Sequence, residues 1–240
     1  MAAQCSALDG DHSRVLIQRL SAQLFLCQDH RPDAQDRPPD TRLTLVRSLL
    51  AEQLNSSKWR NRLLSCNTLS SLKGPTNKDV VHKLIHLMWN DQCWQVRFAA
   101  AEALMKLGKM QDVYIELRLK LEEGQGLQDR MEALDIISHL KLKTLLEPLV
   151  SCLGDEFTAV RKQACLMAES LQLKDETVVS RLLELVENDP AQEVRLSAIR
   201  AVGALGLTSS DVQETLLHCV ETEEEAELRL AACGCCRAPA

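Results

Sequence analysis

An arginine that returns about every 34 residues constrains the fold of this 240-residue chain more than any other feature. Successive copies are 35, 33, 31, 34 and 34 residues apart. Apolar residues recur three, four, six, seven and ten positions after the arginine, and at roughly 100° per residue these positions share one helix face. A regular period of this length is typical of a repeat array. The anchor arginines are Arg62, Arg97, Arg130, Arg161, Arg195 and Arg229.

The best-formed copy covers residues 90–108 and predicts a single helix. Asp91 stands where an N-cap would, since its carboxylate can accept from exposed backbone N–H groups. Gly108 stands where a C-cap glycine is expected. A second helix is predicted before each anchor helix, and a lone hairpin of two helices cannot bury both apolar faces unless it stacks on neighbours. These preceding helices are expected at 41–54, 78–89, 111–122, 143–153, 175–187 and 209–220.

The predicted fold is therefore all-α, an α-solenoid of about six antiparallel helical hairpins. The low aromatic content of 3% and the dominance of Leu, Ala and Val favour stacked helices over a β-sandwich. Residues 1–29 are expected to form an N-terminal helix or cap, and the proline-rich residues 30–40 a linker. The array then occupies 41–240, with repeats at 41–74, 75–109, 110–142, 143–174, 175–207 and 208–240.

The pattern of an Asp six residues before the anchor, a Val just before it and the apolar offsets after it resembles the second helix of a HEAT repeat. The period is shorter than the ~40–47 residues of typical units, so the likeness is to the compact HEAT-like subtype. The resemblance implies an Asp–Arg ladder that links neighbouring repeats. Ser56, Gly124 and Glu223 replace the aspartate in three repeats. The complete pairs are Asp91 and Arg97, Asp155 and Arg161, and Asp189 and Arg195.

Metal or catalytic chemistry has little support in the sequence. Some HEAT-like arrays are metal enzymes whose ligands come from His-Glu dipeptides, and this chain has no such dipeptide. His82 and His86 are one helical turn apart, a spacing that can bind zinc, but no third ligand is evident. The cysteines at 233, 235 and 236 lack zinc-site spacing and match core positions of the sixth anchor helix, where Cys acts as a small apolar residue. We therefore predict no catalytic, cofactor or metal site.

The sixth repeat has Pro239 where the other repeats predict a leucine. Because proline disrupts a helix interior, the sixth hairpin is expected to stop short. The sequence thus suggests a fragment or an alternative end of a longer array.

A ladder of mostly apolar residues one position after the anchor could receive a partner helix. The alternative is that these residues only contact the neighbouring second helix, and the same two interpretations apply to the tryptophans three positions before the anchor. The candidate partner-binding residues are Trp59, Leu63, Trp94, Phe98, Met131 and Leu196.

The sequence favours a non-catalytic protein–protein interaction scaffold or adaptor. The alternatives are a metal-dependent HEAT-like hydroxylase or lyase and a regulatory subunit of a larger enzyme. The net charge of −6 implies no general affinity for nucleic acid, and no small-molecule substrate is evident. No apolar run reaches the ~18 residues of a membrane span, and residues 1–14 lack a signal-peptide core. Reduced cysteines in the cytoplasm or nucleus are the expectation.

Overall fold

The computed structural model describes Val15 and residues 41–72, 77–124 and 126–236. These ranges contain helices and no strand. The predicted linker at 30–40, Pro239 and all of the predicted N-terminal helix except Val15 lie outside the described residues. The helices are α1 (Thr41–Gln53), α2 (Trp59–Ser71), α3 (Lys78–Asn90), α4 (Trp94–Lys106), α5 (Met110–Glu123), α6 (Leu127–Leu140), α7 (Leu146–Leu153), α8 (Thr158–Ser170), α9 (Glu176–Asn188), α10 (Gln192–Leu205), α11 (Ser210–Thr222) and α12 (Ala226–Cys236).

The chain forms two compact units that divide after Val113, within α5. In unit 1, α1 packs on α2, α3 packs on α4, and the second helices α2 and α4 pack together. In unit 2, α8 packs on α6, α7 and α10, while α10 also packs on α9 and α12. The first helices also pack in order, α7 on α9 and α9 on α11. This stacking of hairpins confirms the predicted all-α, α-solenoid class.

The apolar offsets of the repeat form the core in both units. In unit 1, Val96, Ala100, Ala103 and Leu104 are fully buried on α4. In unit 2, the matching residues of α8 and α10 are also buried. They are Val160, Ala164 and Ala168 on α8 with Leu171 directly after it, and Val194, Ala198, Ala201, Val202 and Leu205 on α10.

The single helix predicted over 90–108 is wrong at its start. The preceding helix α3 ends at Asn90, and α4 begins only at Trp94. Asp91 and the N-cap residue Cys93 both have extended backbone, so the chain turns there. The Asp91 carboxylate accepts from the Cys93 N–H at 2.9 Å and thus ties this turn instead of capping α4.

The predicted C-terminal glycine of the same helix is confirmed. Gly108 has φ +74°, a left-handed conformation that glycine adopts without steric cost. The N–H of Lys109 donates to the Leu104 carbonyl at 2.9 Å, and the Gly108 N–H to Met105 at 3.1 Å. These two bonds are those of a Schellman motif.

The helix predicted over 143–153 begins three residues later than expected, at Leu146. Pro148 is its third residue. A proline has no N–H to donate to the carbonyl four residues earlier, here that of Thr144, and its ring clashes with that carbonyl. Proline is tolerated only in the first turn, so α7 cannot extend back to 143.

Candidate protein-binding surface

Arginine–carboxylate pairs join consecutive second helices inside each unit. In unit 1, Arg62 Nε and Nη2 donate to Asp91 at 2.6 and 2.8 Å. In unit 2, Arg161 Nε and Nη2 donate to Asp189 at 2.6 and 3.0 Å. Both are bidentate pairs between the arginine of one repeat and the aspartate of the next, the arrangement that a planar guanidinium favours.

Two further arginine–carboxylate pairs join consecutive repeats in unit 2. Arg195 donates to Glu223 at 2.8 and 3.2 Å, so the glutamate takes the place of the aspartate. Arg130 donates to Asp155 at 2.8 Å through Nη1 alone, and its buried Nε has no acceptor in the described part of the chain. The sequence prediction of the ladder missed Arg62, Arg130 and Glu223. Each occupies the position in its repeat that holds the arginine or the aspartate of the complete pairs.

Five of the six anchor arginines also bond within their own repeats, and there the partner is a backbone carbonyl. Each Nη1 donates to the carbonyl of the residue six positions earlier. The acceptors and distances are Ser56 at 2.7 Å for Arg62, Asp91 at 3.5 Å for Arg97, Asp155 at 2.9 Å for Arg161, Asp189 at 3.0 Å for Arg195 and Glu223 at 2.8 Å for Arg229. The guanidinium thus bonds to the turn of its own hairpin. Where the next repeat has an Asp or Glu in the equivalent turn, it also bonds to that turn.

The electrostatics of these pairs show in the pKa values of their members. Burial of Asp91 opposes its ionisation, but the hydrogen bonds from Arg62 and the Cys93 N–H, with the charges of Arg62 and Arg97, outweigh burial and lower the pKa of Asp91. The hydrogen bonds to Asp189 raise the pKa of Arg161. Ion pairs therefore join consecutive second helices inside each unit. Side chains exposed on these helices are held at defined positions.

Four of the candidate partner-binding residues lie in unit 1 on the packed helices α2 and α4. Trp59, Leu63 and Phe98 are half-buried, while 55% of the Trp94 surface is exposed. The rings of Trp94 and Phe98 meet edge to face with centroids 5.6 Å apart. We call the surface formed by Trp59, Leu63, Trp94 and Phe98 the aromatic surface of unit 1.

The other two candidates, Met131 and Leu196, lie on α6 and α10 of unit 2 and are half-buried. Between these helices stands α8, which has Lys162 at the equivalent position. Lys162 Nζ pairs with Glu193 on α10 at 2.7 Å. The apolar stripe is thus interrupted in unit 2 by a charged side chain that contacts the neighbouring second helix, as the alternative interpretation of these positions expects.

The matching cysteines of earlier repeats lie in the core, whereas Cys233 and Cys235, which were predicted to be core residues of the sixth repeat, are only half-buried. Cys66 and Cys165 are fully buried, and burial raises the pKa of each to about 12, as it does for Cys152. In the sixth repeat, Cys233 is half-buried and Cys235 lies against Gly203, while the side chain at 236 is outside the described part. A neutral thiol of raised pKa is a poor nucleophile.

His82 and His86 are the remaining candidates for metal chemistry, and the described residues place no third ligand with them. His82 and His86 are exposed on α3. Within residues 41–72, 77–124 and 126–236, no group of three His, Cys, Asp or Glu side chains lies close enough to hold a metal ion. In the same ranges, none of the helices has the length and apolar character needed to cross a membrane.

Comparison with known proteins places the repeats in a family. A sequence model of HEAT repeats matches residues 116–203 and 146–236, and a HEAT repeat model matches residues 80–111. Among solved structures, YibA of E. coli is 16% identical, with 94% of this chain and 97% of that chain covered and a TM-score of 0.41. A designed armadillo repeat protein in complex with the peptide (KR)4 is 18% identical, with 78% and 96% covered and a TM-score of 0.47.

Human deoxyhypusine hydroxylase in complex with glycerol is 13% identical, with 95% of this chain and 97% of that chain covered and a TM-score of 0.42. At these identities and TM-scores, the likeness gives no conclusion about the activity of this chain. The two HEAT matches in unit 2 together span residues 116–236, which is half of the chain. With stacked hairpins and arginine–carboxylate pairs between repeats, the chain belongs to the HEAT-repeat family.

Proposed function

We propose that this protein is a non-catalytic scaffold that binds protein partners through the aromatic surface of unit 1. The observation that carries the proposal is Trp94, a large aromatic side chain that is 55% exposed on a helix whose preceding turn is joined to α2 by the Arg62–Asp91 ion pair. Tryptophan is enriched among residues that dominate binding energy, because it buries a large rigid area at small cost in conformational entropy.

The geometry around Trp94 supports binding more than a packing role. Its edge-to-face contact with Phe98 holds the indole in place before any partner arrives. A ring that is half exposed can still bury on the order of 100 Å², which corresponds to about 2–3 kcal/mol. Leu63 and Trp59 extend the same surface onto α2. A partner that covers these side chains would gain apolar contact without a large rearrangement of the helices.

The proposal is tested by affinity capture with quantitative mass spectrometry on the full chain. Trp94→Ala and Phe98→Glu should each deplete a common set of captured proteins. Leu217→Ala is the matched control, because Leu217 is also 55% exposed but lies on the first helix α11 of unit 2. Circular dichroism should show that all three variants remain helical. Capture of the same proteins by wild type and both surface variants would refute the assignment of this surface.

The non-catalytic character has its own test. Purified protein is expected to contain no stoichiometric transition metal, as measured by inductively coupled plasma mass spectrometry. Iron or zinc near one equivalent would contradict it and favour the hydroxylase or lyase alternative. The protein is proposed to work in a reducing compartment, the cytoplasm or nucleus, in keeping with free thiols at the seven cysteines whose side chains are described.

A further inference from the structure

We infer that the partner segment bound by the aromatic surface of unit 1 is acidic, with Asp or Glu residues beside an apolar anchor side chain. The inference rests on the proposed function and adds the chemistry of the partner. The surface combines the exposed ring of Trp94 and the half-buried rings of Trp59 and Phe98 with cations that have no carboxylate partner among the described residues. A segment with an aliphatic or aromatic side chain between carboxylates would satisfy both features at once.

The cations lie at the α2 end of the surface. The Arg60 guanidinium stands over the Trp59 ring, with 5.1 Å between its Cζ and the ring centroid. Lys58 and Arg60 are both exposed, and within the described residues neither has a carboxylate in ion-pair distance. A guanidinium held on an aromatic face keeps its N–H edges free, so it can donate to a carboxylate while the ring is covered.

The carboxylates of the two helices and of the turn before α4 cannot neutralise these cations. Helix α2 contains no Asp or Glu. Asp91 in the turn is buried and bound by Arg62. Glu102 on α4 is paired with Lys106 at 3.4 Å. On these elements, Lys58 and Arg60 thus remain without a carboxylate partner among the described residues.

Both tryptophans are also the first residues of their helices. Neither α2 nor α4 has an acidic residue in its first turn or a side-chain cap on its N-terminus. The unpaired N–H groups of a first turn carry partial positive charge, which favours a nearby carboxylate. The helix ends thus add to the field of Lys58 and Arg60, and they lie beside the rings that would take the apolar anchor.

The net charge of unit 1 also favours an acidic partner. Residues 41–113 carry 11 Lys and Arg against 5 Asp and Glu, a net charge of +6. Residues 114–240 carry 13 against 23, a net charge of −10. An acidic segment is attracted to the first unit and repelled by the second, so electrostatic steering selects between the surfaces of the two units before contact.

An acidic protein segment fits better than a nucleic acid. A nucleic-acid strand gains affinity from several phosphate contacts, each with its own cation. On α2, α4 and the residues just before them, the exposed and unpaired cations are Lys58 and Arg60. Lys58 and Arg60, beside the rings of Trp59 and Trp94, could bind one or two carboxylates on either side of one apolar side chain of the partner.

The experiment is a selection of random peptides, displayed on phage, against the immobilised full chain, with Trp94→Ala as counter-selection. Enriched peptides should contain Asp and Glu next to Leu, Phe or Trp. A synthetic peptide of the winning sequence should then bind in a fluorescence polarisation assay. Arg60→Glu and Lys58→Glu should each weaken it about tenfold, and binding should weaken further as salt is raised.

Lys78→Glu is the matched control, since Lys78 is an exposed lysine on the first helix α3 of the same unit. It changes the net charge by the same amount and should leave affinity within about twofold. Selection of neutral or basic peptides, or of no peptide at all, would overturn the inference. So would an equal loss of peptide affinity in Lys78→Glu, or tighter binding of a single-stranded oligonucleotide than of the peptide. If Trp94→Ala still depletes captured proteins in those cases, the proposed function stands and only the partner chemistry is wrong.

Discussion

At the scale of single residues, burial decides which charges matter for stability. Arg161 and its neighbour Lys162 each reach a carboxylate on the next repeat, at 2.6 and 2.7 Å. The Arg161 pair has side chains only 11% and 2% exposed, whereas those of Lys162 and Glu193 are 42% and 58% exposed. Water screens the second pair and not the first. Distance alone would make the two pairs look equivalent.

We therefore expect Arg161→Ala to reduce the free energy of unfolding by about 2–4 kcal/mol, because it leaves Asp189 buried without its counter-ion. Lys162→Ala should cost less than about 1 kcal/mol. Urea unfolding followed by circular dichroism measures both, through the shift of the midpoint. Equal small losses in the two variants would show that Asp189 is solvated once Arg161 is gone.

At the scale of helices, the contact between α10 and α12 depends on a missing side chain. Gly203 lies inside α10, where alanine would normally be the better helix former by about 1 kcal/mol. A Cβ at this position would overlap Cys235 Sγ and come within 3.2 Å of the Cys235 Cβ. The glycine lets the two second helices approach, so packing outweighs helix propensity here.

Gly203→Ala should consequently destabilise the protein by about 1–3 kcal/mol through overpacking. In a Cys235→Ala background, where the sulfur is gone, the same change should be close to neutral or stabilising. A double-mutant cycle measured by urea unfolding gives the coupling between the two positions. A stabilising Gly203→Ala in the otherwise unchanged protein would mean that α12 moves away at little cost.

At the scale of the whole molecule, stability draws on buried thiols in both units. Cys66 lies in unit 1, and Cys152 and Cys165 lie in unit 2. Burial raises the pKa of each from 9.0 to about 12. The unfolded chain therefore loses these protons first as pH rises. The thiols stabilise the folded state fully below pH 9, and this contribution is lost as the pH rises from about 9 to 12.

The free energy of unfolding should accordingly fall between pH 8.5 and 10.5, at up to about 1.4 kcal/mol per pH unit for each thiol. Cys165→Ala should show a shallower fall than wild type, measured by urea unfolding at several pH values under reducing conditions. Cys233→Ala is the comparison, because Cys233 is only half-buried. Identical slopes in wild type and Cys165→Ala would contradict the assigned burial effect.

The sequence by itself predicted the repeat family, the pairing of helices and most of the core. It could do so because a 34-residue period and the 3.6-residue helical period are properties of residue order alone. It also placed Gly108 correctly, since a left-handed helix end favours glycine. The start of α4 was misplaced, because an Asp that ties a turn and an Asp that caps a helix look the same in a sequence.

Only the tertiary structure decided which side chains meet. The charge partner of Arg62 lies 29 residues away, and Glu223 substitutes for an aspartate because its carboxylate still reaches Arg195. The sequence also could not say that Trp94 is exposed while Trp59 is half-buried under Arg60. Exposure depends on what neighbouring helices cover, and that follows from the distance and angle at which repeats stack, which residue order does not contain.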